Sequence, residues 1–177
     1  SDRSIRETLH AHASMLADLQ AELGFELVVV SRPRREMPDV RLEWRHVEWS
    51  PAVETRIAEH FDVGIMPLVD DELQRCKCGA KLLQAMAAGL PSIASPVGVN
   101  AKLVDPSRGF LAGRKDNWAE AIARLRDPGL RRAMGAEARR FVEREYSVDV
   151  WFPRLLGIVD AVRRGVRPRQ APPAPGP

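Results

Sequence analysis

The sequence is short of most features that would announce an activity. Its 177 residues hold two cysteines, Cys76 and Cys78, and a single tyrosine. Cysteines one residue apart rarely bridge each other, and a lone C-x-C without a second Cys or His cluster is a poor zinc site. The expected compartment is therefore a reducing one, the cytoplasm. Long apolar runs are missing too. The stretches 27–30 and 85–88 fall far short of the roughly 20 residues that cross a bilayer. No basic-then-apolar leader opens the chain, so nothing in it reads as a secretion signal. Neither G-x-G-x-x-G nor G-x-x-x-x-G-K-[ST] occurs, which removes the commonest phosphate-binding turns. Charge of one sign is scarce as well, with 27 basic against 24 acidic residues and a net charge of +3. Four of the basic residues, Arg163, Arg164, Arg167 and Arg169, cluster before a Pro-rich end. Without them the balance falls to about −1, so the body lacks the basic face that a nucleic-acid partner needs. The Arg cluster reads as a solvated helix end and tail, with a peripheral contact at the inner membrane face as the alternative.

What the chain does hold is 45% hydrophobic residues, enough for one folded domain over 1–165 and a disordered Pro/Arg-rich tail over 166–177. Ser4-Ile5-Arg6-Glu7 has the form of a capping box opening a long helix to Gly24. The spacing then predicts strands over 25–30 and 40–47, parted by a loop at Arg32-Pro33-Arg34-Arg35. Ser50-Pro51 starts a helix to about His60, and 61–66 is a third strand closed by Pro67. A loop over 69–78 leads to a helix over 79–88, a strand over 91–95, a short helix near 100–104 and a strand over 109–112. Asp116 and Asp127 are expected to cap helices over 117–126 and 128–145, and a last helix spans 149–164. Strands alternating with helices imply an α/β fold, Rossmann-like, with a doubly wound and mostly parallel sheet. Such a unit normally opens on its central strand, whereas this sequence opens on a helix and reads as starting one strand late.

Ligands of open α/β sheets lie outside the carboxyl ends of the strands. The third strand ends there, and its loop delivers Asp70, Asp71, Glu72, Arg75 and Lys77 to the start of the helix at Gly79. A helix start offers free N–H groups and the positive end of a dipole, which suits a phosphate. Gly79 would let an anion approach, and Lys77 and Lys81 add charge. Gln84 follows Lys81 by three residues, on nearly the same helix face and within reach of a hydroxyl of the same ligand. On residues alone, a diphosphate site and an ordinary solvated helix start both stay open.

Three segments carry a resemblance: 61–68 (FDVGIMPL), 77–91 (KCGAKLLQAMAAGLP) and 94–100 (ASPVGVN). They resemble the carboxyl-terminal domain of GT-B glycosyltransferases, in particular family-four retaining enzymes and a bacterial subset with K-C-G-x-K-L-L-Q. Gly109-Phe110-Leu111, Trp118, Asp127-Pro128 and Tyr146-Ser147 fit the same pattern. The resemblance implies the C-terminal half of a GT-B fold without its first strand, and a nucleoside-diphosphate sugar as donor substrate. It implies no cofactor, no metal, and an acceptor bound by a preceding N-terminal domain. Lys81 and Lys77 would stabilise the leaving phosphate, with Gly79, Ala80, Lys81 and Leu82 offering main-chain N–H groups. Gln84 would hold the donor ribose where the family usually has Glu, and Val47 and Glu48 would meet the nucleobase through main-chain groups. Cys76 stands where the family's sugar-contacting Glu is usual.

Other features are weaker. Trp49 is expected as a loop aromatic rather than a base-stacking platform, and His10 and His12 lie on different helix faces, which excludes a metal pair. The acids Asp70, Asp71 and Glu72 read as a solvated loop. Met66 and Met86 belong to the core. The combined expectation is the donor-binding half of a retaining glycosyltransferase, inactive alone. The alternatives are a degenerate nucleotide-binding or protein-contact module, favoured by Cys76, and a sugar-nucleotide epimerase of the same fold.

Overall fold

A computed structural model of the chain describes residues 2–32 and 41–165, with side chains from Thr8 onward. The Ser4–Glu7 capping contacts, most of the Arg32–Arg35 loop, Val40 and the 166–177 tail lie outside the described residues. The chain opens on α1 (Asp2–Leu23), followed by β1 (Leu27–Ser31) and β2 (Trp44–Glu48). Next come α2 (Pro51–Thr55), a 3-10 turn (Ile57–Glu59), β3 (Gly64–Met66), α3 (Glu72–Arg75) and α4 (Ala80–Ala87). The remainder is β4 (Ser92–Ala94), α5 (Asn100–Leu103), β5 (Gly109–Leu111), α6 (Lys115–Arg124), α7 (Pro128–Tyr146) and α8 (Val148–Arg163).

Every described strand pairing is parallel, as expected, but the strands form two sheets rather than one: β1-β2 and β3-β4-β5. The edges that part them can be read from the ladder. In a strand, alternate residues direct their N–H and C=O to opposite sides. Ser31 accepts from Trp49 N on the β2 side, so Val28 and Val30 direct theirs away from β2. Gly64 N donates to Pro91 and Met66 accepts from Ser95 N, so Val63 and Ile65 point away from β4. Between these two edges lies a cavity of about 310 Å³ lined by Leu16, Val28, Val63, Ile65 and Trp118.

Helices cover both faces. Ile93 of β4 packs with Leu19 of α1 and Trp118 and Ala121 of α6. Its neighbour Ala94 points the other way, toward Leu82 and Met86 of α4, Leu103 of α5 and Ala138 of α7. That alternation on a wholly buried strand is what a doubly covered parallel sheet requires. A third cluster seats Leu9, Ala13 and Leu16 of α1 on Leu27 and Val29 of β1.

Several boundaries differ from expectation. The helix begun by Ser50-Pro51 stops at Thr55 instead of His60. Thr55 Oγ1 donates back to the Pro51 and Ala52 carbonyls at 3.2 and 3.0 Å, which competes with continued helix. Asp116 is no cap. α6 starts at Lys115 with Arg114 as N-cap, placing Asp116 in the first turn, where its charge suits the dipole. Asp127 caps α7 as expected, accepting from Gly129 N at 2.7 Å.

Candidate active site at the carboxyl edge

Residues from both sheets meet where the strands end. β2 runs out at Glu48, and Ser50 turns the chain into α2 by accepting from Val53 N at 3.2 Å, with Pro51 setting the first helical φ. This cap fixes Glu54 on the first turns of α2. The Glu54 carboxylate accepts from the Trp49 indole Nε1 at 3.0 Å through Oε2 and from Gln84 Nε2 at 2.7 Å through Oε1. Arg32, just past β1, lies with its guanidinium carbon 4.2 Å from the centre of the Trp49 ring. A chain of contacts thus runs Arg32–Trp49–Glu54–Gln84, from the first sheet to α4. His46 reinforces the strand ends, with Nε2 3.2 Å from Ser31 Oγ and 3.1 Å from its carbonyl. Because Trp49 N points toward β1, Val47 two residues earlier has its main-chain groups in the same ladder. Glu48, exposed and of opposite phase, directs its own outward.

The stretch expected as a loop over 69–78 contains α3, capped by Asp71, which accepts from Gln74 N at 2.7 Å. Asp70 binds Arg75 Nε at 2.7 Å, and that hydrogen bond holds the Asp70 carboxyl below its ordinary pKa. The first two acids of the loop therefore have internal partners, and among the described residues no group of His, Cys, Asp or Glu could hold a metal ion. His12 Nδ1 lies 2.9 Å from the Thr8 carbonyl while His10 is exposed, consistent with their separate faces.

Gly79 is the N-cap of α4 with φ +71, a left-handed conformation that side chains resist. A Cβ on it would overlap Leu103 and press on Val99 of the α5 region. Packing and backbone conformation thus account for this glycine. Its carbonyl accepts from Leu82 N at 2.9 Å and Leu83 N at 3.1 Å. The Leu82 N–H, expected to be available to a ligand, is therefore committed within the helix. Ala80 N and Lys81 N have no backbone acceptor among the described residues and face the open end. Although the Lys81 side chain reaches the surface, desolvation of its ammonium lowers the pKa from the ordinary 10.5, and the positive charge of Lys77 lowers it further. Positive charge gathered at one helix start favours an anion there. Cys76, exposed, is the C-cap of α3 beside them.

The structure thus joins Gln84 of α4 to Glu54 and Trp49 just past β2, and it sets Lys77, Gly79, Ala80 and Lys81 around the start of α4. Glu54 was not legible as a site residue. It is an ordinary acid in the first turns of a short helix, and its partner on α4 lies 30 positions away.

Two solved structures share this architecture. Sucrose-phosphate synthase from Thermosynechococcus elongatus superposes with a TM-score of 0.63 at 18% identity, over 90% of this chain and 44% of that one. TarM does so with a TM-score of 0.66 at 13% identity, over 86% of this chain and 32% of that one. The chain therefore spans less than half the length of either protein. No match was found among the curated proteins. The family model for group 1 glycosyl transferases matches residues 4–127, more than half of the chain. The chain belongs to that family, and its fold is the Rossmann-like half of a GT-B structure. No described helix is long and apolar enough to cross a membrane.

Proposed function

We propose that this chain is the donor-binding half of a retaining glycosyltransferase that uses a nucleoside-diphosphate sugar. The observation carrying the proposal is the open start of α4, where Ala80 N, Lys81 N and the desolvated Lys81 ammonium converge beside Lys77. In the reaction, the bond between the anomeric carbon and the diphosphate breaks and negative charge grows on the departing phosphate. N–H dipoles and an ammonium fixed beforehand at that place stabilise the charge without reorganising. Gln84 lies one turn along α4 toward the ribose, and the outward main-chain groups of Glu48 lie toward the base. The acceptor binds polypeptide other than the described residues, so this chain binds donor and transfers nothing by itself. A cytoplasmic location, with Arg163 and Arg164 touching the inner membrane face, belongs to the same proposal. A nucleotide-binding module without catalysis is the second reading. It is favoured by Cys76, which places a thiol where family members usually present a carboxylate.

Calorimetry with uridine and guanosine diphosphate tests the proposal. Lys81→Met should weaken the better of the two about tenfold, the value of a charge-assisted contact. Because the Lys81 pKa is lowered, affinity in the parent protein should also fall on the alkaline side before an ordinary lysine would titrate. The sign for stability is opposite. Folding disfavours the charged form, so the penalty is present at neutral pH and vanishes above the unfolded pKa. Lys81→Met should then leave the melting temperature at pH 7 unchanged or higher. Equal nucleotide affinity in parent and variant would remove Lys81 from the site.

A further inference from the structure

The contact between α2 and α4 has a chemical consequence. A carboxylate only accepts hydrogen bonds, so the 2.7 Å approach of Gln84 Nε2 to Glu54 Oε1 fixes which way the Gln84 amide faces. Its N–H is turned to Glu54 and its Oε1 away. The Trp49 indole N–H, which can only donate, holds the second Glu54 oxygen at 3.0 Å. Glu54 is therefore clamped by a donor from the segment that precedes α2 and one from α4, yet it remains exposed. Each carboxylate oxygen accepts about two hydrogen bonds, so one position on each is still open to solvent. Two acceptors on one rigid carboxylate, side by side and outward, match a pair of hydroxyl donors on adjacent ring carbons.

We infer that Glu54, clamped between Trp49 and Gln84, is the acceptor for the vicinal hydroxyls of the ligand's ribose, and that Gln84 is chiefly its positioning residue. This rests on the reading of the α4 start as a diphosphate site. Lys81 lies three residues before Gln84 on α4, nearly along one helix face, so phosphate and diol of one nucleotide are served by neighbouring turns. Donors clamp the carboxylate without neutralising it, which leaves a charged acceptor for the O–H groups. Hydrogen bonds to an ionised acceptor are roughly twice as strong as neutral ones.

The test measures preference for the diol rather than affinity alone. The 177-residue protein is titrated with uridine and guanosine diphosphate, with their 2′,3′-dideoxy forms, and with inorganic pyrophosphate. The parent should prefer the ribo form about tenfold. Glu54→Gln keeps the size of the side chain and removes the charge, and it should bring that preference close to one while pyrophosphate binding stays as in the parent. Gln84→Ala should retain part of the preference, since the Trp49 contact still holds Glu54. Glu54→Asp, which keeps the charge on a shorter arm, should retain more of it than Glu54→Gln. A Glu54→Gln protein with an undiminished ribo preference overturns this inference while leaving the phosphate site standing. A parent that binds neither nucleotide nor pyrophosphate overturns the proposed function and this inference with it. Thermal melting of each variant checks that the surface substitutions leave the fold intact.

Discussion

Glu54 and Gln84 show how a single pair alters what a substitution means. By the resemblance alone, Gln84 would stand in for a family carboxylate, and Gln84→Glu would restore the usual residue. In the structure the new carboxylate would face Glu54 across a 2.7 Å contact that now joins an acid to an amide. Two like charges at that distance cannot both ionise freely, so one of the pair would have its pKa raised. Gln84→Glu should therefore melt below the parent at pH 8 and recover toward it as the pH falls and the pair shares a proton. Both groups are exposed, so the loss should stay under about 1 kcal/mol. Melting curves at pH 5 and pH 8 read it directly, and equal differences at the two pH values would show that the side chains swing apart. The lysines were legible because charge beside a helix start is visible in sequence. The Glu54 contact was not, because nothing local marks a partner on another element.

At the scale of elements, the caps carried most of the information. Ser50 and Asp127 are N-caps in sequence and in structure, since a short polar side chain before Pro at the first helical position has little else to do. Strand positions were readable from apolar runs, but not the division into two sheets, which depends on pairing between distant segments. A close approach of α7 to the chain past α4 was equally silent. Gly135 of α7 lies against the chain just past α4, where a Cβ would overlap the Gly89 carbonyl oxygen. Alanine is the better helix former by about 1 kcal/mol, so an isolated helix would gain from Gly135→Ala. Here the obstacle is backbone, which cannot rotate away, and α7 must move off α4. Gly135→Ala should destabilise the protein by about 3 kcal/mol or more, as urea unfolding would show. A neutral result would mean that α4 and α7 can part without loss.

The whole molecule presents one face that its own core does not cover. On α8, Val148, Phe152, Leu155, Val159 and Val162 are all exposed, at spacings of three and four residues, with Trp151 exposed beside them. This is the stripe of an amphipathic helix without its partner surface. Since these side chains bury little here, Leu155→Lys with Val159→Lys should leave the melting temperature nearly unchanged. The same pair should lower the binding of a hydrophobic dye and the tendency to self-associate. A fall of several degrees would show that the stripe packs onto the body. The sheets leave a second open feature, the cavity of about 310 Å³ between β1 and β3.

On the function proposed above, the start of α4 receives a nucleoside diphosphate at the carboxyl edge of the sheets. Amide and indole chemical shifts, followed while uridine or guanosine diphosphate is added, test it most directly. Shifts are expected at Ala80 and Lys81, at the Gln84 side-chain amide and at the Trp49 indole N–H, saturating together with one dissociation constant. Shifts confined to Arg163, Arg164 and the residues beyond them, rising without saturation, would mean that phosphate is merely attracted to a basic end, and would contradict it.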